Sequence, residues 1–420
     1  MKNCFIPADI LLPAFAQDAA KMRTWSCVAC DQYTSEPEYW NDVEAIVGDA
    51  PSTLRITLPE LYLSEAAARI PAINAKMNEY MAADVLTAHK HTMIYLERAQ
   101  SNGRIRRGLV GAIDLECYDY NKGAKSLVRA TEGTVLERIP PRVKIREGAP
   151  VELPHIMILI DDPARTVIEP LIGNTAALTP AYDFELMKNG GHASGWFLPE
   201  GELARVNGAL EALCETEAAK QSCENPLVFA MGDGNHSLAS AKAFWEQLKP
   251  SLSEAERASH PARYALCEIV NIHDEALEFE PIYRVVFGVE PEALLNELSA
   301  YLKALPASDI APQAFTWVIG GKSGELTAEN PSSLLPVGTL QAFLDAYVKT
   351  HNGASIDYIH GVESTKKLAS GEKAIGFLFE GMGKSDLFPT VVRDGALPRK
   401  TFSMGEADDK RFYLEARKIR

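Results

Sequence analysis

The sequence lacks the long apolar runs that cross membranes. No stretch approaches the roughly 20 consecutive apolar residues that a membrane-spanning helix needs. The first residues, Met1–Asp9, also lack the uninterrupted apolar core of a secretory signal peptide. We therefore expect a cytoplasmic protein that does not associate with membranes.

Cysteine is also scarce, and its pattern excludes a disulfide framework. Seven cysteines, an odd number, are scattered through 420 residues, as is typical of reduced thiols in a large chain. Cys27 and Cys30 form the one suggestive pair, but no second pair or histidines at ligand spacing accompany it. We therefore expect Cys27 and Cys30 to pack in the protein core.

Basic residues are fewer than acidic residues. Acidic residues number 57 and basic residues 42, which gives a formal net charge of −15. Such a surface repels phosphate backbones on average, so nucleic acid is disfavoured as a partner. Local basic clusters at residues 104–107 and 138–146 can still attract a small anion, because a focused cleft can oppose the sign of the whole. A small phosphorylated ligand is therefore favoured.

The hydrophobic pattern predicts a mixed α/β protein. Apolar runs bounded by turn residues alternate with stretches of helical periodicity. The predicted strands cover residues 91–97, 107–114 and 155–160, and the predicted helices cover residues 64–83, 201–218 and 253–258.

The pattern changes along the chain, which predicts three segments. Residues 1–285 are expected to form the main α/β domain, and residues 286–356 a small inserted α/β lobe. Residues 357–420 are expected to return to the main domain and to end in a basic helix at 410–420. The remaining predicted elements are helices at 291–305 and 337–350 and strands at 314–320 and 373–379.

One segment, residues 226–240, combines a strand, a glycine-rich turn and a helix. Leu227–Ala230 is predicted to be a buried strand, and a helix is predicted to begin within about two residues of Ser237. Gly232 and Gly234 permit backbone conformations that other residues avoid. The free N–H groups that follow them are expected at the positive end of the helix, where they could bind an anion such as phosphate. The alternative is a purely structural junction in which Asp233 caps the helix.

Resemblance supports the functional alternative. The block Asp233–His236 resembles the Asp-Gly-x-His-Arg signature of the ParB/sulfiredoxin-like superfamily, whose members bind nucleotide phosphates at this loop. Ser237 departs from the signature arginine, and Asn235 stands where sulfiredoxins carry their catalytic cysteine, which argues against sulfinic-acid reduction. Several stretches also resemble the DUF1015 family: Arg129–Thr134, Tyr182–His192, Met231–His236, His260–Tyr264, Phe279–Arg284 and Asp357–Gly361.

This resemblance implies a ParB/sulfiredoxin-like nucleotide-binding core with elaborations and the inserted lobe. Because the superfamily includes free-serine kinases, it also implies ATP- or ADP-dependent phosphorylation of free L-serine with Mg²⁺, or the reverse reaction. Two alternatives remain open: a nucleotide-responsive binding protein without DNA binding, and a phosphoamino-acid phosphatase. A homo-oligomer is possible in each case.

Phosphoryl transfer needs cations and N–H groups around the phosphates, a metal ligand and a base, and the sequence offers candidates for each. The catalytic candidates are Asp233, His236 and Glu132, with Asp233 also as metal ligand. The candidates for phosphate binding are Gly232, Gly234, Asn235, Ser237, Arg129, Thr131, Thr134, Arg138 and Arg142. The candidates for binding the amino acid are His192, Arg284, Lys400 and Ser403.

Overall fold

A computed structural model describes residues 2–134 and 136–420, which form two compact units. The first unit contains the chain up to Leu277 together with Glu406–Arg420, and the second contains Glu278–Gly405. Each unit combines helices with a β-sheet, so the predicted mixed α/β class is confirmed.

The first unit contains thirteen strands and seven helices before Leu277 within the described residues. The strands are β1 (Phe5–Ile6), β2 (Ala8–Pro13), β3 (Leu86–Thr92), β4 (Ile94–Ala99), β5 (Ile105–Asp114), β6 (Tyr118–Asp119), β7 (Val128–Arg129), β8 (Val151–Glu152), β9 (Met157–Ile160), β10 (Thr179–Glu185), β11 (His192–Phe197), β12 (Phe229–Asp233) and β13 (Tyr264–Asn271). The helices are α1 (Ala19–Trp25), α2 (Pro37–Val47), α3 (Ala66–Ala82), α4 (Ile139–Gly148), α5 (Glu200–Gln221), α6 (Asn235–Leu248) and α7 (Glu254–Ser259).

Most of these strands join one mixed sheet in the order β10-β11-β4-β5-β13-β9-β12-β7-β6, with β1 paired to β5. Its two faces are covered by separate apolar cores. Strand β5 shows the division, because Leu109 and Ile113 pack into one core while Val110 and Ala112 pack into the other. Successive side chains of a strand point to opposite faces, so a continuous apolar run is the pattern of a strand buried on both sides.

The second unit is built on a smaller antiparallel sheet. Its strands are β14 (Phe279–Phe287), β15 (Gln313–Ile319), β16 (Lys322–Ala328), β17 (Ser355–His360), β18 (Ala374–Phe379) and β19 (Phe402–Met404). Its helices are α8 (Pro291–Ala304), α9 (Pro336–Thr350), α10 (Val362–Leu368) and α11 (Leu387–Asp394). The sheet has the order β16-β15-β18-β14-β17, and β19 pairs with β14.

This unit is larger than the predicted lobe at residues 286–356. Strand β14 begins at Phe279 and pairs with both β17 and β18, so the residues that follow position 356 complete its sheet. Only Glu406–Arg420, rather than the whole of residues 357–420, belongs to the first unit. The boundary prediction was wrong because strand pairing between distant segments leaves no local signal in the sequence.

The last segment is extended, so the predicted helix at residues 410–420 is also wrong. Bridges join Phe412 to Val28 and Ala416 to Leu11, and β20 (Arg417–Lys418) pairs with β8. Phe412, Leu414 and Ala416 enter one apolar core at a spacing of two residues, which is the period of a strand.

Buried ion pairs hold this segment in the first unit. Glu268 of β13 is fully buried, and its carboxylate accepts hydrogen bonds from Arg106 of β5 at 3.3 Å and from Arg411 at 2.8 Å. A second arm of Arg411 donates to Glu415 at 2.6 Å, and the hydroxyl of Tyr182 donates to the same carboxylate. Three charged side chains of the last segment, those of Arg411, Glu415 and Arg417, are therefore compensated inside the protein and not exposed on a helix.

We predict that Glu268→Gln destabilises the protein by about 3–5 kcal/mol, since removing one partner leaves buried guanidinium groups uncompensated. Urea unfolding of the variant and the wild type measures this difference. Glu65→Gln is the matched control, because Glu65 pairs with Arg69 at 2.8 Å on the exposed surface. Surface pairs of this kind contribute about 0–1 kcal/mol. Equal stabilities for the two variants would contradict the assigned role of Glu268.

Candidate functional site

The glycine-rich turn lies between a strand and a helix, as predicted. Strand β12 ends at Asp233, Gly234 adopts a left-handed φ of 78°, and α6 begins at Asn235. The predicted helix start within two residues of Ser237 is confirmed. The strand begins at Phe229 and not at Leu227, although Leu227 is buried. A Cβ on residue 234 would lie 3.1 Å from the Cα of Ile156, so this position requires glycine.

Three strands bring separate parts of the chain to this turn. Strand β7 runs parallel to β12, so their carboxyl ends share one edge of the sheet. Strand β9 runs antiparallel to β12, so its first residues reach the same edge. The hydroxyl of Thr131 donates to the carbonyl of Met231 at 2.8 Å and joins two of these segments. The edge therefore combines residues 131–134, 155–156 and 232–237; Glu132, half-buried, lies within the first of them.

Several polar atoms at this edge are buried without a hydrogen-bond partner in the described protein: Thr134 Oγ1, Asn235 Oδ1 and His236 Nε2. Helix α6 also begins without a side-chain cap from any described residue, and its first N–H groups have no acceptor within the helix. Buried polar groups are nearly always paired in folded proteins, so unpartnered atoms beside a helix N-terminus are typical of a site that a polar ligand completes.

Positive charge surrounds His236. Burial and, to a lesser extent, the charges of Arg142 and Arg138 together lower the pKa of its imidazole to about 4, while the charge of Asp31 opposes this effect. The ring is therefore neutral at pH 7. Arg138 is exposed, and its carbonyl accepts a hydrogen bond from Arg142 at 2.7 Å. These two predicted phosphate-binding arginines thus act electrostatically on the turn.

Asp233 holds the turn together. One carboxylate oxygen accepts the N–H of Gly234 at 2.8 Å, and the other lies 3.4 Å from the ammonium group of Lys410 in the last segment. No cluster of three or more histidine, cysteine or acidic side chains in the described residues is arranged to hold a metal ion. The role of Asp233 as a metal ligand therefore stays a prediction.

A cluster around His155 was missed by the sequence prediction. His155 precedes β9, its Nε2 lies 2.9 Å from the Ser237 hydroxyl, and its Nδ1 lies 3.0 Å from the Tyr413 hydroxyl. The carboxylate of Asp31 lies 3.7 Å from the same Nε2. Burial opposes ionisation of Asp31, but the nearby charges of His155 and Lys410 and a hydrogen bond from Gln32 hold its pKa below the ordinary value.

The Cys27 and Cys30 thiols lie near this cluster but show no sign of reactivity. Burial raises the pKa of both thiols, to about 12 for Cys30. Both cysteines are free. They pack in the first unit, as the sequence suggested, and remain protonated at neutral pH.

A cavity of about 120 Å³ adjoins the cluster. Its apolar side includes Ile56, Leu58 and Met77, and its polar side includes Ser237, His155, Tyr413, Glu60, Arg142, Arg146 and Glu152. The Nε atom of Arg146 is buried without a hydrogen-bond partner in the described structure. The cavity therefore combines apolar surface with two ion pairs, Arg142 with Glu60 and Arg146 with Glu152.

Two predicted site residues lie elsewhere in the first unit. The guanidinium of Arg129 donates to the carbonyls of Ser126 at 2.9 Å and Asn225 at 3.0 Å, which precede β7 and β12 and mark the opposite edge of the sheet. His192 lies on β11, and four strands separate β11 from β12. Neither side chain reaches the turn. The guanidinium of Arg129 binds backbone carbonyls at the other end of its strand, and His192 lies four strands away.

His192 instead forms a surface cluster with two carboxylates. Its ring nitrogens lie 2.6 Å from Asp183 and 3.0 Å from Glu185. Although burial opposes the charged form, hydrogen bonds to these carboxylates raise the pKa of His192. The predicted role of His192 in substrate binding is therefore not supported.

The other predicted substrate-binding residues belong to the second unit. The buried guanidinium of Arg284 donates to Gln341 at 2.6 Å and to the carbonyl of Arg399 at 3.1 Å, and lies 4.6 Å from the ring of Tyr358. Lys400 is exposed with a φ of 51°, and the Ser403 hydroxyl donates to the carbonyl of Gly405 at 3.4 Å. Arg284 thus satisfies its buried charge within its own unit through oxygen acceptors and an aromatic face.

Comparison with known protein families identifies one family that matches most of the chain. The family described as "Protein of unknown function (DUF1015)" matches residues 11–347. The chain belongs to the DUF1015 family. Comparison with curated protein sequences finds no match. No helix in the described part of the chain combines the length and apolar character needed to span a membrane.

Solved structures similar to this DUF1015 protein include free serine kinases. A free serine kinase mutant in complex with ADP is 11% identical, with 77% of this chain and 95% of that chain covered and a TM-score of 0.38. The free serine kinase in complex with AMP is 12% identical, with 73% and 91% covered and a TM-score of 0.35. C-terminally truncated SbnI from Staphylococcus aureus is 10% identical, with 70% and 82% covered and a TM-score of 0.33. At these values the likenesses carry no functional argument.

We predict that the imidazole of His236 titrates near pH 4 in the folded protein, against an ordinary value of 6.5. Because the folded-state pKa is depressed, the stability that neutral His236 contributes is present above pH 6.5 and is lost as the pH falls towards 4. NMR titration of the histidine ring protons, with His236→Gln to assign the signal, measures the pKa. His192 is the internal control, since its pKa is raised; a His236 pKa at or above 6.5 would contradict the environment described.

Proposed function

We propose that the protein binds ATP or ADP with the phosphates at the N-terminus of α6 and phosphorylates a small hydroxylated amino acid. The observation that carries this proposal is the group of buried polar atoms without partners at the start of an uncapped helix. Asn235 and His236, the first two residues of α6, supply two of these atoms, and Thr134, which follows β7, supplies the third. A phosphate group bound there accepts the free N–H groups and faces the positive end of the helix dipole.

The local charge also supports an anionic ligand. The chain carries a net charge of −15, yet Arg138 and Arg142 act on His236, and Lys410 pairs with Asp233. Positive groups held in a partly buried site attract a small anion even when the whole surface is acidic. Asp233 pairs with Lys410 and Glu60 pairs with Arg142, and we expect the phosphates of a nucleotide to compete with these carboxylates for the cations.

Phosphoryl transfer also needs a side chain that binds the metal ion and a base that accepts the proton of the acceptor hydroxyl. Mg²⁺ is commonly held by one or two carboxylates together with substrate phosphates, so Asp233 alone fits an ion that the nucleotide carries. The ion would neutralise charge that develops on the phosphate oxygens. Asp31, whose carboxylate lies 3.7 Å from His155 Nε2, is the group that we propose accepts the proton of the acceptor hydroxyl. Glu132 is retained as a second candidate base.

L-Serine is the proposed acceptor, on the resemblance of the sequence motifs to free-serine kinases. A free amino acid needs a cation for its carboxylate and an anion for its ammonium group. Arg146 and Glu60 line the cavity beside Ser237 and are the proposed partners, and the amino acid would compete with the ion pairs that they form with Glu152 and Arg142. Binding of the acceptor in this cavity would bring a hydroxyl towards the first turn of α6.

We predict that the wild type binds ATP or ADP and that Asn235→Asp weakens binding at least about 10-fold, a change of about 1.4 kcal/mol. The substitution keeps the shape of the side chain but places a negative charge beside the phosphates. Isothermal titration with each nucleotide and Mg²⁺ measures binding, and a phosphoserine assay with L-serine measures transfer.

Asn41→Asp is the matched control, because Asn41 lies exposed on α2 and the same charge change there should leave affinity unchanged. A wild type that binds neither nucleotide would overturn the proposal. Nucleotide binding without transfer to any amino acid would favour a nucleotide-responsive binding protein, and hydrolysis of phosphoserine would favour a phosphatase.

A further inference from the structure

Ser237 and His155 form a nucleophile and base pair. The Ser237 hydroxyl lies 2.9 Å from His155 Nε2, within the range of about 2.6–3.2 Å that such pairs show. A serine within a helix commonly donates back to a carbonyl four residues earlier, as Ser240 does to His236 at 2.6 Å. Ser237 instead turns towards an imidazole from another strand.

The surroundings of His155 orient it for this role. The backbone N–H of Cys30 donates to the Tyr413 hydroxyl oxygen at 3.1 Å, and this oxygen lies 3.0 Å from His155 Nδ1. With its proton on Nδ1, the imidazole donates to Tyr413 and leaves Nε2 to accept the proton of Ser237. Asp31, 3.7 Å from Nε2, then stabilises the imidazolium that forms.

The position of Ser237 connects this pair to the proposed phosphate site. Ser237 lies in the first turn of α6, two residues after Asn235, and its side chain lines the cavity that also contains Arg142. A phosphoryl group on the hydroxyl would carry about −1.5 to −2 charges at neutral pH and would compete with Glu60 for the guanidinium of Arg142. The cavity, of about 120 Å³, provides space for that group.

We propose that Ser237 is itself phosphorylated by the bound nucleotide and passes the phosphoryl group to the acceptor. This inference rests on the proposed nucleotide site. In the first step the bond between Oγ and phosphorus forms, the bond from phosphorus to the bridging oxygen breaks, and the shortened nucleotide leaves with the electron pair. The Ser237 proton moves to His155 Nε2.

The second step restores the enzyme. The acceptor hydroxyl attacks the phosphorus and gives its proton to Asp31, and the Ser237 oxygen leaves and recovers its proton from His155. Asp31 then releases its proton to solvent. No oxidant or further reactant is required, and the sum of both steps is transfer from nucleotide to acceptor.

The test is incubation of the full-length protein with γ-³²P-ATP or β-³²P-ADP and Mg²⁺, without any amino acid. After acid quenching, peptide mapping should locate the label on Ser237. In a parallel incubation with unlabelled donor, label on the adenine ring of the shortened nucleotide (ADP, or AMP when ADP is the donor) should exchange into the donor by reversal of the first step. Ser237→Ala should remove both signals. His155→Gln should slow labelling at least about 100-fold, the usual contribution of a general base.

Ser259→Ala is the matched control, since Ser259 lies on α7, donates to the backbone carbonyl of Ala255 and does not line the cavity. It should keep both label and exchange. A wild type that phosphorylates serine but shows neither label nor exchange, or a Ser237→Ala variant that retains full transfer, would overturn the phosphoserine step and leave the kinase proposal intact. A wild type that binds no nucleotide would overturn both.

Discussion

The buried carboxylate of Glu268 is the interaction on which the first unit depends. It compensates Arg106 from the sheet and Arg411 from the last segment, and so holds an extended strand of chain inside the unit. That segment delivers Lys410 to Asp233 and Tyr413 to His155. An ion pair in the core therefore controls the geometry of the candidate site, although neither Glu268 nor Arg411 is proposed to touch a ligand.

The sheet supplies the second constraint. Parallel pairing of β7 and antiparallel pairing of β9 with β12 bring three segments to one edge, where backbone donors and buried polar atoms meet. The close approach of Gly234 to Ile156 leaves no space for a side chain. The turn is thus fixed by packing before any ligand arrives, which is the preorganisation that binding of a charged group in a partly buried site requires.

Local sequence patterns predicted the glycine-rich turn. They did not predict the contacts between residues that are distant in the sequence. The glycines and the apolar run before them are sufficient to predict the junction of β12 and α6, because each acts over a few residues. His155 and Tyr413 lack such a signal, since their proximity to Ser237 depends on strand pairing and on the last segment. That segment was predicted as a basic helix, whereas it is extended and buried carboxylates compensate Arg411 and Arg417.

A crystal structure with a non-hydrolysable ATP analogue and Mg²⁺ tests the central claim most directly. The account predicts phosphate oxygens about 2.7–3.2 Å from the backbone N–H groups at the start of α6, with Asn235 and His236 in contact with the ligand. It also predicts the Ser237 hydroxyl beside the terminal phosphate. An analogue bound with its phosphates away from this turn would contradict the account, even if the protein binds nucleotide tightly.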